Sequence, residues 1–162
     1  MDFSELYRRY AGDVFRFSLF LSGNRATAED LTAETFARAL VGRDGLRVDT
    51  VKAYLFAIAR NLYRDVRSRD RRLVPIAAVT PQPDPSPGQD IVTGDRQRLE
   101  AVLSAIQLLP DGEREALVLA IEKDLPYERI ATILGCSIAA VKVRVHRARV
   151  KLRSILDTKE LP

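Results

Sequence analysis

The amino-acid sequence predicts an all-α protein of two small helical domains joined by a proline-rich linker, the second domain carrying a helix-turn-helix. Three observations lead there. Apolar residues recur at helical spacing on both sides of the chain's middle, a run of alternating prolines parts the two sides, and charge is sorted along the chain rather than spread through it. A chain of 162 residues can bury one ordinary core or two small ones. The proline run favours two separate cores.

In "FSELYRRYAGDVFRFSLFLSG", Leu6, Tyr10, Val14, Phe17 and Leu21 are spaced four, four, three and four apart, and Gly23 closes the helix. "TAEDLTAETFARAL" follows as a second helix, with Thr27 as its expected N-cap, Glu29 and Asp30 in its first turn, and an end before Gly42. The turn-rich loop "VGRDGLRVDT", residues 41–50, leads into a long helix beginning near Thr50, whose expected apolar seam is Val51, Leu55, Ile58, Leu62 and Val66. "VPIAAVTPQPDPSPGQD" then interrupts the pattern. Pro81, Pro83, Pro85 and Pro87 alternate with other residues, and proline lacks the amide donor and fixes φ, so an extended tether is expected. The boundaries read as 1–72 for the first domain, 73–93 for the linker and 94–162 for the second domain.

The last segment, "CSIAAVKVRVHRARVKLR", alternates Val141, Val143 and Val145 with cations and so resembles a strand. A helix accounts for more of it. At about 100 degrees per residue, Val141, Val145, Ala148, Leu152 and Ile155 fall on one stripe, whereas a strand leaves the last three unexplained. Just upstream, "YERIATILG" is a short helix over 127–134 ending at Gly135, and Ser137 is the N-cap of the helix that follows. Small Ala131, turn-forming Gly135 and apolar Val141 give the pattern of a helix-turn-helix, whose second helix enters the major groove.

The whole chain carries 26 basic and 22 acidic residues, a formal charge of +4, which is too modest to identify a nucleic-acid binder by itself. Its distribution says more. Residues 73–93 contain no Lys or Arg and two Asp, residues 60–72 contain six Arg and two Asp, and residues 142–153 contain six Lys or Arg and no acid. On the last helix, Lys142, Val143, Arg144, His146 and Arg147 lie towards the N-terminal half, where base edges are reachable. Arg149, Lys151 and Arg153 are placed for phosphate. On the long helix of the first domain, Arg60, Arg64, Arg67 and Arg71 form a row, flanked by Tyr54, Phe56, Asn61 and Tyr63. Guanidiniums beside aromatics suit unpaired DNA, where bases stack and phosphates need neutralising. The same aromatics also fit a core. Availability of these cations, rather than their consumption in internal ion pairs, is the condition on which this reading stands.

Other classes find little support. One Cys, Cys136, excludes an internal disulfide and a cysteine-built zinc site, and its place beside the turn suits packing. One His and no phosphate-cradling glycine loop leave no catalytic residue, metal ligand or cofactor to assign. The N-terminus lacks the basic start and apolar run of a secretory signal, and no stretch approaches the ~20 apolar residues that span a bilayer. A cytoplasmic protein without membrane insertion is expected.

The order "AEDLTAETFARAL", "VKAYLFAIARNLYRDVRSRDRR", linker, and "LSAIQLLPDGEREALVLAIEKDLPYERIATILGCSIAAVKVRVHRARVKL" resembles the extracytoplasmic-function (ECF) sigma factors of bacterial RNA polymerase over almost the whole chain. The resemblance implies a promoter-specificity subunit that binds core RNA polymerase through Asp30, Glu34, Thr35 and Arg38. It implies recognition and melting of the −10 element by the loop 41–50 and the basic helix, with Arg43, Arg47, Phe56, Arg60, Asn61, Tyr63, Arg64, Arg67 and Arg71 as contacts. The helix from Ser137 would read the −35 element through Ser137, Lys142, Val143, Arg144, His146, Arg147, Arg149, Lys151 and Arg153. An anti-sigma partner is a further implication. Leu40 stands where many relatives have tryptophan, Ala139 and Ala140 replace a common glycine-threonine pair, and Val143 replaces a frequent serine, which leaves the −35 preference open. A stand-alone helix-turn-helix regulator of duplex operators is the competing class, although it has no need of the second basic helix.

Overall fold

The computed structural model describes residues 2–42, 50–73 and 94–160, and among them every regular element is α-helical. Seven helices follow in order: α1 Phe3–Ser22, α2 Arg25–Val41, α3 Val51–Leu73, α4 Gly94–Gln107, α5 Asp111–Ile121, α6 Tyr127–Leu134 and α7 Ile138–Glu160. Arg43, Arg47 and nearly all of the expected tether fall outside the described residues.

Local chemistry explains most of the helix ends. Asp2 caps α1 by accepting from the Glu5 amide at 2.8 Å, and Gly23 ends it at φ 68°, a left-handed conformation in which a Cβ is penalised. The cap of α2 is Asn24, which accepts from the Thr27 amide at 2.9 Å, so the expected cap, Thr27, is a first-turn residue and the actual cap lies three positions before it. Asn ranks with the best N-caps, and Gly23 before it frees the chain to turn. Thr50 caps α3 through the Ala53 amide, Gly135 ends α6 at φ 67°, and Ser137 caps α7 through the Ala140 amide at 3.0 Å.

α1, α2 and α3 pack as an antiparallel trio around Val14, Phe17, Leu21, Leu31, Phe36, Leu55 and Leu62. α7 lies across α5, α6 and α4, with Val141, Val145 and Ala148 of the expected stripe buried and Leu152 and Ile155 half-buried. Val51, the first member of the α3 seam, is 40% exposed because it opens the helix beyond the reach of α1 and α2.

The cores of the two halves are joined, contrary to the expectation of two separate ones. A single apolar cluster runs from Phe17 and Phe56 through Ile106 and Leu119 to Ile130 and Val141. α1 packs on α4 and α5, and α3 packs on α6. Periodicity identifies an apolar face without naming what covers it, and here each half covers part of the other.

Polar clamps reinforce the junction. Arg114, 2% exposed, donates to the carbonyls of Ile106, Gln107 and Leu109 at the end of α4 and to the Tyr63 hydroxyl of α3 at 2.7 Å. It thereby satisfies acceptors that a helix C-terminus leaves orphaned. The Gln107 amide donates to the Phe20 carbonyl at 3.1 Å, and its side chain lies so close to Gly23 that a Cβ there would meet Gln107 Cγ at 2.7 Å.

Two substitutions test this junction. Arg114→Met strips several buried acceptors of their donor and should cost about 3 kcal/mol, read as a lower urea midpoint; an unchanged midpoint would refute the clamp. Gly23→Ala should cost at least ~1–2 kcal/mol from left-handed strain, plus the clash. Adding Gln107→Ala should recover the clash and leave the strain, so a double variant no more stable than Gly23→Ala would show that Gln107 is not the obstacle.

Candidate nucleic-acid interfaces

The turn between α6 and α7 is built as a helix-turn-helix requires. The Gly135 amide donates to the Ala131 and Thr132 carbonyls, the Cys136 amide reaches Ala131 at 3.0 Å, and Ala131 is buried where a larger side chain would separate the helices. Val141, fully buried, anchors α7 in the core. With the buried stripe facing inward, Lys142, Val143, His146, Arg147, Arg149 and Arg153 are exposed. None of the cations among these six has an acidic partner among the described residues.

Three residues expected on that surface are otherwise engaged. Arg144 is half-buried, its Nη1 lying 3.7 Å from Cys136 Sγ and its guanidinium near Gly112 at the start of α5. Lys151 donates to both Glu113 oxygens at 2.8 and 2.9 Å. The Ser137 hydroxyl serves as the helix cap. The outward face is therefore narrower than the charge run, and it centres on Lys142, Val143, His146 and Arg147, with Arg149 and Arg153 beyond.

The arginine row of α3 has a different environment. Arg64 grips Glu115 with two parallel hydrogen bonds, Nε to Oε1 at 2.8 Å and Nη2 to Oε2 at 2.9 Å, and Arg60 Nε reaches the same Oε1 at 3.2 Å. Asp111, one turn earlier on α5, takes Arg67 at 3.0 Å and Arg71 at 2.8 Å. All four guanidiniums expected to be available are thus paired with acids of the other half. The Arg64 guanidinium is held above its ordinary pKa, chiefly by its hydrogen bonds to Glu115 and against the opposing effect of desolvation. A cation whose pKa rises on folding contributes stability below its unfolded value and loses it only as pH climbs through the folded one. For arginine that window lies in strong alkali, so the Arg64 guanidinium itself stays charged throughout the physiological range.

The aromatics beside the row belong to the interior. Phe56 is fully buried and stacks on Phe17 with ring centroids 4.6 Å apart, and Tyr63 is 5% exposed with its hydroxyl accepting from Arg114 and Arg67. Neither ring is open to a base in this arrangement, because a large aromatic on the apolar side of an amphipathic helix gains more from burial than from exposure. Asn61 remains exposed, accepting from Arg60 at 3.3 Å. Tyr54 donates to the Gly42 carbonyl at 2.6 Å, tying α3 to the end of α2.

On α2, Asp30, Glu34 and Arg38 are exposed on one side, Glu34 and Arg38 pairing at 3.2 Å. Thr35 is fully buried and its hydroxyl donates to the Leu31 carbonyl at 2.6 Å, which removes its side chain from any docking surface. The residues that sequence reasoning missed are Asp111, Arg114, Glu115 and Glu122. One signal was present: Asp111 and Glu115 are four apart, as are Arg60 and Arg64, so each pair occupies one helix face and the two can mesh.

Two protein families match the chain, sigma-70 region 2 over residues 6–73 and sigma-70 region 4 over residues 99–152. Among characterised relatives, the ECF RNA polymerase sigma factor EcfG of Rhodopseudomonas palustris is 37% identical over 143 residues, covering 86% of this chain and 77% of that one. SigE of Mycolicibacterium smegmatis is 35% identical over 94% of this chain, which spans 60% of that protein's length. Among solved structures, the sigma factor RpoE of Bartonella quintana, in complex with the anti-sigma factor NepR, is 31% identical, with a TM-score of 0.74 over 96% of this chain and 97% of its own. Set beside a helix-turn-helix with a cationic outer face and a second basic helix in the preceding half, these likenesses place the chain in the family of ECF sigma factors of bacterial RNA polymerase.

Proposed function

We propose that this chain binds core RNA polymerase and directs it to promoters by recognising two elements, acting in the cytoplasm without catalysis of its own. The observation that carries the reading is the pairing of a duplex-reading helix, α7, with a separate basic helix, α3, in the order and spacing of sigma-70 regions 2 and 4. Residues 1–72 form the unit for the −10 element and for polymerase binding, residues 94–162 the unit for the −35 element, and 73–93 the tether between them.

At the −35 element, Lys142, Arg147, His146 and Val143 face the major groove. The cations suit guanine edges and Val143 suits a thymine methyl. Arg149 and Arg153 hold the backbone, while Lys151, already bound to Glu113, adds less. At the −10 element, Arg64 and Arg71, whose side chains stay 51% and 64% exposed beside Glu115 and Asp111, are the members of the α3 row that reach phosphates of the opened strand; Arg60 and Arg67 are more deeply held by the same acids, and Asn61 is the exposed polar neighbour. Asp30, Glu34 and Arg38 supply the polymerase contact on α2. An anti-sigma protein is the natural regulator: the Bartonella relative was solved bound to one, and the two share their fold along nearly the whole chain.

Run-off transcription tests the reading. Added to core polymerase on genomic DNA, the chain should start RNA at a restricted set of sites sharing two spaced motifs, and a chain that only blocks transcription is instead a stand-alone regulator. On a duplex carrying the mapped upstream motif, Arg149→Ala should weaken binding evenly across sequences and lower the slope of log affinity against log salt by about 1, whereas Arg147→Ala should also relax base preference. Lys151→Ala should leave the slope nearly unchanged. Equal effects from Arg149 and Lys151 would contradict the assignment.

A further inference from the structure

Tyr54 stands in the first turn of α3 and reaches both ends of the interval that separates α3 from α2. Its amide donates to the Thr50 carbonyl at 3.1 Å, and its hydroxyl donates to the Gly42 carbonyl at 2.6 Å. The Gly42 amide meanwhile donates to the Arg38 carbonyl at 2.8 Å, so the residue at which the chain leaves α2 is held from both sides. The fit is close enough that a Cβ on Gly42 would lie 3.1 Å from the Arg38 carbonyl oxygen and 3.5 Å from the Tyr54 hydroxyl. Thr50 is fixed in turn, its Oγ1 accepting from the Ala53 amide at 3.2 Å. Residues 43–49, with Arg43 and Arg47 among them, lie outside the described residues, but the points where the chain leaves α2 and enters α3 are described, and one tyrosine holds both.

We propose that Tyr54 is a positioning residue for −10 recognition: its amide and hydroxyl set the separation and direction of the two chain ends between which Arg43 and Arg47 lie. The inference rests on the −10 role proposed for the first half. The Tyr54 hydroxyl contributes little to stability, because Gly42 is exposed at the end of a helix, where a carbonyl that loses its partner takes a water molecule instead. The ring does the packing. It is half-buried against the apolar cluster, and a phenylalanine would pack the same way. What the hydroxyl adds is direction. Side chains carried on a short connection meet one arrangement of bases at low cost only when its ends are already held, since every torsion left free there must be ordered when DNA binds. Phe56 and Tyr63, the other aromatics beside the arginine row, are buried and turned to the interior, which leaves Tyr54 as the ring of that group whose polar end reaches the edge of the −10 unit.

The test uses the full chain with core RNA polymerase, on a promoter mapped by run-off transcription and on copies with single base changes in its −10 motif. Tyr54→Phe removes one hydroxyl and keeps the ring. It should lower the ratio of transcripts from the unchanged and changed promoters by roughly fivefold, the equilibrium equivalent of one ordinary hydrogen bond, while the urea midpoint and the affinity for the −35 duplex stay as they were. A tyrosine with only a structural role would move the midpoint and leave the ratio alone. Coupling gives a second readout. In a chain carrying Arg43→Ala and Arg47→Ala, adding Tyr54→Phe should change the ratio by no more than about twofold, because the side chains it positions are gone. Undiminished discrimination by Tyr54→Phe, a loss that comes with a lower midpoint and weaker −35 binding, or the full effect on the background lacking Arg43 and Arg47 would overturn the positioning role. The base changes themselves separate the two ideas. If they leave RNA starts by the unaltered chain untouched, the −10 reading fails and the positioning role with it; if they reduce those starts while Tyr54→Phe discriminates as well as the unaltered chain, only the role of Tyr54 fails.

Discussion

The carboxylate of Glu115 pins the meeting of the two halves. It is buried between α3 and α5, which is tolerable only while Arg60 and Arg64 reach it. That requirement ties α3 to α5 through their side chains, while Tyr63 of α3 accepts from Arg114, which in turn closes the end of α4. The net stabilisation from such a buried network is small compared with the burial of Phe17, Phe56 and Leu119 beside it, because desolvation of the charges offsets most of their attraction. Its contribution is to position: the apolar surfaces could slide against one another, and the forked hydrogen bonds fix one alignment.

The two basic helices show how environment divides residues of one composition into different states. α7 turns a buried aliphatic stripe inward, and most of its cations face water. α3 also buries an aliphatic side, yet its arginine row pairs with Asp111 and Glu115 of α5 while Arg64 and Arg71 keep 51% and 64% of their side chains exposed. Both arrangements keep arginine charged, and only the first leaves it without an acidic partner among the described residues.

Much of this was legible in the chain. The helix-turn-helix was readable because Gly135, Ser137 and the Val141, Val145, Ala148 stripe act locally, through a left-handed turn, a cap and a period. Thr27 misled because Asn24 and Thr27 can both cap, and Asn24 beside Gly23 takes the cap by accepting from the Thr27 amide. Phe56 and Tyr63 were read as contacts from their chemistry, and Thr35 from the family resemblance. Their burial depends on helix rotation, which a polar or aromatic side chain at the edge of an amphipathic face does not reveal. Arg144 was read as a base-edge residue and Lys151 as a phosphate contact, since nothing in α7 itself announces that Cys136 and Glu113 lie within reach.

The sequence by itself determined the helices, their order, most of their ends and the sorting of charge, because periodicity, capping and proline act over a few residues. Tertiary structure alone decided that one apolar cluster joins the halves and that the arginines of α3 pair with Glu115 and Asp111. Those pairings join residues more than 35 positions apart. No local rule ranks one such partner over another; the choice falls to whichever arrangement covers the most apolar surface while leaving no buried charge alone.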